Sequence, residues 1–402
     1  MPFPFVLPTT SAFSFSSSFT SDSHPSLPLT ASSLRAVLRD VLKKHKRLPP
    51  ASQSSHLPAV ISALQDYIPY LLALDAGLGN KELDGEVISV VLKNAPVIEW
   101  RPTISHNAIP GKEAARLKIQ SLEYEIGFVL GTLAMSHVLT ARTILRPLYV
   151  TSTASVGTEE RVKALVAACG RLSDAAAIYS YLADRTEQIS TAPPCPDIAA
   201  STLRGLASLA LAEANLLTAL KDDPYPAVVA QDRNENDKDW MIQAPQIPKV
   251  RAELFGRFCL AAAEDAAKAQ SLCRAGGKLN GDLMRYLDDV RRASRARACR
   301  FFGIGAETLG DMGKAIAYLE AGMQELGIEK KDEKKGLGFG RFKREWTERR
   351  EDRKVENEGS WGSDGGKMEE LRIIEMLSAK WNKINDTVRK PKPSQPSFAM
   401  PY

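Results

Sequence analysis

Cysteine is scarce in this chain. Its 402 residues hold five, Cys169, Cys195, Cys259, Cys273 and Cys299, with no C-x-x-C pair among them. An odd, scattered set excludes a disulfide framework and a zinc ribbon. Three of the five fall in apolar helical surroundings, where reduced, buried thiols are expected. Histidine is equally thin: His24, His45, His56, His106 and His137 lie far apart, and no H-E-x-x-H occurs. No Gly-Lys-Ser/Thr loop and no G-x-S-x-G elbow is present. The glycine-rich stretches "AGGKLNG" (275–281) and "GLGFG" (336–340) follow no strand pattern and read as turns or helix ends. Nothing supports an enzyme, a metal centre or a cofactor site. The formal net charge of +5 is too small for a dedicated nucleic-acid binder, so no nucleic-acid partner is expected. Basic residues are missing before Arg35, which argues against a signal peptide or an Arg-rich presequence. Uncharged apolar runs of 18 residues are missing too, and no transmembrane helix is expected.

What fills the chain is helix-periodic sequence. The spacing predicts helices near 31–46, 56–76, 82–94, 112–142, 158–185, 199–221, 248–276, 280–307, 311–326 and 368–385, with few strand signals outside the first residues. Alanine is abundant in 158–220 and 252–299, favouring helix and close packing. The segment "SLEYEIGFVLGTLAMSHVLTAR" (121–142) is apolar on two faces. Leu122, Ile126, Val129, Leu130 and Leu133 form one stripe. Tyr124, Phe128, Met135, Val138 and Leu139 form another, and Gly127, Gly131 and Ala134 run between. A helix apolar nearly all round is a buried helix. Helix pairs stacked as in tetratricopeptide arrays bury helices on both sides, although no clean 34-residue period is present.

Two stretches interrupt the pattern. Residues 221–249 are polar and Pro-interrupted, a long surface loop. Between Glu329 and Lys354 eleven Lys/Arg face seven Asp/Glu, so nearly all the excess charge lies there. The expected organisation is an extended arm packed on the body (1–30), a helical body (31–328), a charged tract with a Gly-rich linker (329–366), and a C-terminal helix with an extended closing segment (367–402).

Six segments, in order, resemble Bro domains, the boomerang-shaped helical domains of Alix-like ESCRT accessory proteins. "IEWRP" (98–102) and the 121–142 helix resemble the family's Trp-Arg and Tyr-Glu, Val-Leu, Leu-Ala block. "LSDAAAIYSYLADR" (172–185) resembles its Ala-Ala-x-x-Phe/Tyr-x-x-Leu helix. "CPDIAASTLRGLASLALAEANL" (195–216), "MGKAIAYLEAG" (312–322) and "NKINDTV" (382–388) resemble later segments. The start "MPFPFVLPTTSAFSF" and the tract "KREWTERREDR" look like a fungal pH-response branch of that family. The resemblance implies an all-α fold of stacked helix pairs. It also implies binding to the C-terminal helix of the Snf-seven-type, polymer-forming ESCRT-III subunit. Further implications are a link to a cortical pH-sensing complex that leads to proteolytic activation of a transcription factor, and a cytoplasmic protein recruited to plasma-membrane cortical sites and endosomes. The chain ends at Tyr402, so the V-shaped domain and Pro-rich tail of Alix-like relatives are not expected. A tetratricopeptide-like scaffold without ESCRT contact is the alternative.

Two surfaces are candidates for partners. On the helix beginning near residue 249, Val250 and Leu254 fall on the polar arc, four apart, as a helix-in-groove contact needs. They also match the family's ESCRT-III patch. The bulky residue that the patch takes from the preceding helix falls near the small Ala219, so Leu216 or Leu220 is expected to substitute. On the helix 281–302, Arg285, Arg291, Arg292 and Arg295 share one arc with Asp288, a candidate contact for anionic lipid or an acidic partner. Arg297 falls off that arc and reads as an interior arginine.

Overall fold

The computed structural model describes residues 2–83, 85–105, 114–149, 156–226, 228, 247–328 and 361–387. Its helices are α1 (Leu27–Arg47), α2 (Pro50–Leu78), α3 (Leu122–Leu145), α4 (Thr158–Glu187), α5 (Ala200–Lys221), α6 (Lys249–Ala275), α7 (Gly281–Thr308), α8 (Met312–Glu325) and α9 (Lys367–Thr387). From α3 onward each packs on the next as far as α8. The α1–α2 pair lies against α3 at one end, and α9 covers α7 and α8.

The interior position of α3 follows from its sequence. Every residue from Glu125 to Val138 is buried. Gly127 lets Ile198 approach; a Cβ there would lie 3.3 Å from the Ile198 Cγ2. The Ser121 hydroxyl accepts from the Glu123 amide and caps the helix. By length and composition α2, α3 and α5 could each cross a membrane, contrary to the sequence expectation. In α3 and α5, 78% of the most apolar window is buried inside the molecule, against 44% for α2.

Short strands qualify the helical picture: β1 (Thr9–Thr10), β2 (Phe19–Thr20), β3 (Glu82–Leu83), β4 (Glu86–Val87), β5 (Val91–Leu92), β6 (Ile98–Arg101) and β7 (Leu117–Ile119). β6 lies between β1 and β7 in an antiparallel sheet, and β2 pairs with β5. The helix expected at 82–94 is therefore wrong. Its run "EVISVVL" is β-branched, and Ile88 and Val90 turn inward while Val87 and Val91 stay exposed. Val90 sits directly over Gly77, where no Cβ would fit. The helix expected from 112 starts instead at Leu122, after β7.

The first residues bury Phe5, Leu7, Phe15 and Phe19 against the helices. Their anchor is a buried cluster around Glu125. Arg35 Nε donates to Glu125 Oε1 at 2.8 Å, Tyr67 OH to the same oxygen at 3.1 Å, and Trp100 Nε1 to Oε2 at 2.5 Å. The "IEWRP" tryptophan thus ties β6 to α3, where it stacks on Phe128 with ring centroids 5.1 Å apart. Farther on, the expected Gly-rich linker ends in a packed turn. Trp361 is buried under the Arg142 guanidinium, and Gly365, at φ +63, lies against the backbone of Val290. Residues 329–360 and 388–402, with the charged tract and closing segment assigned to them, lie outside the described residues.

Candidate helix-docking surface

Helix α6 begins after Pro248, whose fixed φ suits the position before a helix. Its inner face is built of small residues: Ala252, Gly256, Cys259, Ala262, Ala266 and Ala269 are buried, with Phe255 among them. Gly256 admits the ring of Phe302 from α7, and Gly205 on α5 admits Cys273. Close packing on both sides fixes which face of α6 turns outward. That face carries Val250, 79% exposed, and Leu254, 47% exposed. Lys249 and Glu253 pair beside them at 3.6 Å, and Arg257, Glu264 and Lys268 continue the exposed stripe. The result is an apolar step, one turn long, bordered by charge.

The second helix of the surface differs from the sequence reading. Leu216 and Leu220 are 4% and 3% exposed, so both belong to the core and offer no surface. On α5 the outward residues are Leu211, Asn215 and Thr218, about 130° round from Leu216 and about 170° from Leu220. Asn215 Nδ2 donates to Asp265 Oδ2 at 3.3 Å, bridging α5 to α6. Leu254 lies eleven residues before Asp265, hence about 20° from it on the wheel. Leu254 and Leu211, itself 45% exposed, therefore flank the same α5–α6 seam. Leu309, 63% exposed, follows the end of α7, where Gly305 lies beside Lys249. Sequence reading missed Leu211 because its helix is apolar on most sides. Leu309 was hidden because it precedes Gly310 and read as loop.

Beneath this surface a buried ionic cluster joins three segments. Arg300 on α7 donates from Nη2 to Asp223 at 2.7 Å and from Nε to Glu370 on α9 at 2.6 Å; Arg297 Nε reaches Glu370 at 2.9 Å. Burial alone would raise the Glu370 pKa, but the two guanidiniums more than reverse it and hold it below its ordinary value. Arg297 is thus the interior arginine that its wheel position implied. Of the loop expected at 221–249, Asp223, Tyr225, Val228 and Ile247 are buried, and 227 and 229–246 lie outside the described residues.

The arginine face of α7 is less basic than the sequence suggested. Arg291 and Arg292 share Asp288, each at 2.8 Å; Arg295 reaches Glu325 at 2.6 Å and Arg285 reaches Asp282 at 3.2 Å. Four guanidiniums face three carboxylates, leaving one net positive charge. Among the described residues no group of three His, Cys, Asp or Glu side chains could hold a metal.

The pH-response regulator protein palC of Emericella nidulans is 40% identical over 425 residues, covering 96% of this chain and 83% of that protein. No family model matches. Among solved structures, ALIX in complex with a SIVmac239 late-domain peptide superposes with a TM-score of 0.58 at 15% identity, over 100% of this chain and 47% of that one. The chain thus spans about half the length of that ALIX chain. The ALIX BRO1–CHMP4C complex gives 0.55 at 14% identity over 100% and 92% of the two chains. A Bro1 domain studied for endosomal targeting gives 0.51 at 15%, over 100% and 89%. The fold is that of a Bro domain.

Proposed function

Because this chain belongs to the palC family of pH-response regulators, we propose that it is a non-enzymatic adaptor that receives the amphipathic C-terminal helix of the Snf-seven-type ESCRT-III subunit on its α5–α6 surface. The observation that carries this reading is the exposed pair Val250 and Leu254, two apolar side chains one turn apart on an otherwise charged face. A partner helix burying both would gain about 1.5–3 kcal/mol for each side chain fully covered. The Bro1 domain of ALIX, which shares the fold, is seen in complex with CHMP4C. In this reading the adaptor links ESCRT-III to a cortical pH-sensing complex at the plasma membrane and on endosomes, upstream of proteolytic activation of a transcription factor. Its contribution is localisation, without bond chemistry.

The test is complementation. Cells deleted for the protein should lose the alkaline-pH response, wild type should restore it, and Leu254→Asp at equal abundance should not. Full restoration by Leu254→Asp would refute the reading.

A further inference from the structure

A cavity of about 680 Å³ lies where the N-terminal arm, the α1–α2 corner, the end of α3, the start of α7 and the Trp361 turn meet. None of its lining residues belongs to the α5–α6 seam, and the proposed function leaves it unused. Its volume is that of a small-ligand site. The floor is buried and largely apolar, with Phe5, Leu57, Ile104, Leu283 and Trp361. The rim is exposed at Val6, Thr143 and Arg285, so the cavity opens to solvent. Two buried polar side chains on its lining have hydrogen-bonding capacity to spare. Arg142 is 6% exposed. Its Nη1 donates to the Pro2 carbonyl and its Nη2 to the Trp361 carbonyl at 3.0 Å. These bonds use two of its five N–H groups, and the guanidinium pairs with no carboxylate among the described residues. Carbonyls occupy donors without neutralising a charge, and an unpaired buried charge is costly. Glu213 acts on Arg142 only from a distance, because its Oε1 is taken by Tyr286 and the Phe3 amide. The second group is His45, 5% exposed, whose Nδ1 has no partner among the described residues. Burial, then the neighbouring His56, pushes its pKa down to about 4, so the imidazole stays neutral. The acidic side chains of the wall are already engaged. Asp282 meets Arg285 at 3.2 Å, Asp289 meets Lys367 at 2.9 Å, and Asp364 accepts from the Gly366 and Met368 amides.

We infer that this cavity binds an amphipathic monocarboxylate, a long-chain acyl acid, with its carboxylate on Arg142 and its chain over the apolar floor. A carboxylate supplies the one negative charge that Arg142 lacks and accepts its remaining donors. His45 offers a second, uncharged hydrogen bond. A phosphate dianion would bring a second charge toward Asp282, Asp289 and Asp364 on the same wall. The aromatic walls are not parallel: Phe3 and Phe5 meet at 73° with centroids 4.9 Å apart. A flexible chain can follow such a wall, whereas a flat ring system cannot lie against both faces.

The test is a titration of the full chain with cis-parinarate, an acyl carboxylate that fluoresces in apolar sites, kept below its micellar concentration. Displacement by oleate and by oleyl alcohol follows. Wild type should show one saturable site, from which oleate displaces the probe and the alcohol does so at least about tenfold less well. Arg142→Gln keeps a donor and removes the charge. It should weaken probe binding by about ten- to hundredfold, the worth of a charge-assisted hydrogen bond, and erase the preference for oleate. Arg142 also ties Pro2 to Trp361, so a second variant leaves that tie intact. Thr143→Trp fills the cavity from its exposed rim; it should keep the wild-type melting profile and lose the probe. Leu254→Asp, on the α5–α6 seam, should bind the probe like wild type. The inference is overturned if wild type takes up no probe or takes it up without saturation, if the alcohol displaces as well as oleate, or if Thr143→Trp binds as wild type does. These outcomes do not depend on ESCRT-III binding.

Discussion

Glu213 on α5 is fully enclosed, and its Oε1 accepts from Tyr286 OH at 2.6 Å and from the Phe3 amide at 3.1 Å. Burial pushes its carboxyl up to about 7, against the pull of the Tyr286 and Phe3 hydrogen bonds and of Arg142. A carboxyl whose folded pKa exceeds its unfolded value binds its proton more tightly when folded. Its favourable contribution is complete below the ordinary carboxylate range and is lost as pH rises toward 7. Glu213→Gln keeps the oxygen acceptor and removes the ionisation. The variant should therefore gain on wild type as melting is measured from mildly acidic to mildly alkaline buffer. A constant difference across that range would show that ionisation of Glu213 is not the cause. The tie from the arm to Glu213 was not legible in the sequence, since Phe3 and Glu213 lie 210 residues apart. Pairs close in sequence are legible: Asp288 stands three and four residues before Arg291 and Arg292, a spacing that lets them meet, and they do. Arg295 finds Glu325 across a helix pair, which no local spacing encodes.

At the scale of elements, α9 is held to α7 by Glu370. Glu370→Ala would leave Arg297 and Arg300 facing each other with only Asp223 and the partly buried Glu369 as counter-charges. Removing one member of a buried ionic cluster costs about 3–5 kcal/mol. Urea denaturation should show a loss of that size, and a loss below about 1 kcal/mol would show that the cluster adds little beyond packing. Helices were legible wherever apolar residues kept the helical period over several turns, as in α4 to α8. The 82–94 region failed because a short β-branched run satisfies either period, and only its pairing with the arm decides it. The core role of Leu216 and Leu220 was missed for a related reason. On an alanine-rich helix packed on both sides, the wheel alone does not say which narrow strip meets solvent, and the strip proves to be Leu211, Asn215 and Thr218.

At the scale of the molecule, the array of helices from α3 to α8 carries an apolar step at the α5–α6 seam, the surface on which the proposed adaptor role depends. Its most direct measurement is a titration of the isolated Snf-seven-type C-terminal helix into the full chain, comparing wild type, Val250→Asp and Leu254→Asp. Both substituted positions are solvent-facing, so the helical signal and melting should stay at wild-type levels. Wild type should bind saturably, and each substitution should weaken the Kd by at least about tenfold, the equivalent of about 1.4 kcal/mol. Undiminished binding by both variants, or no binding by wild type, would contradict the account.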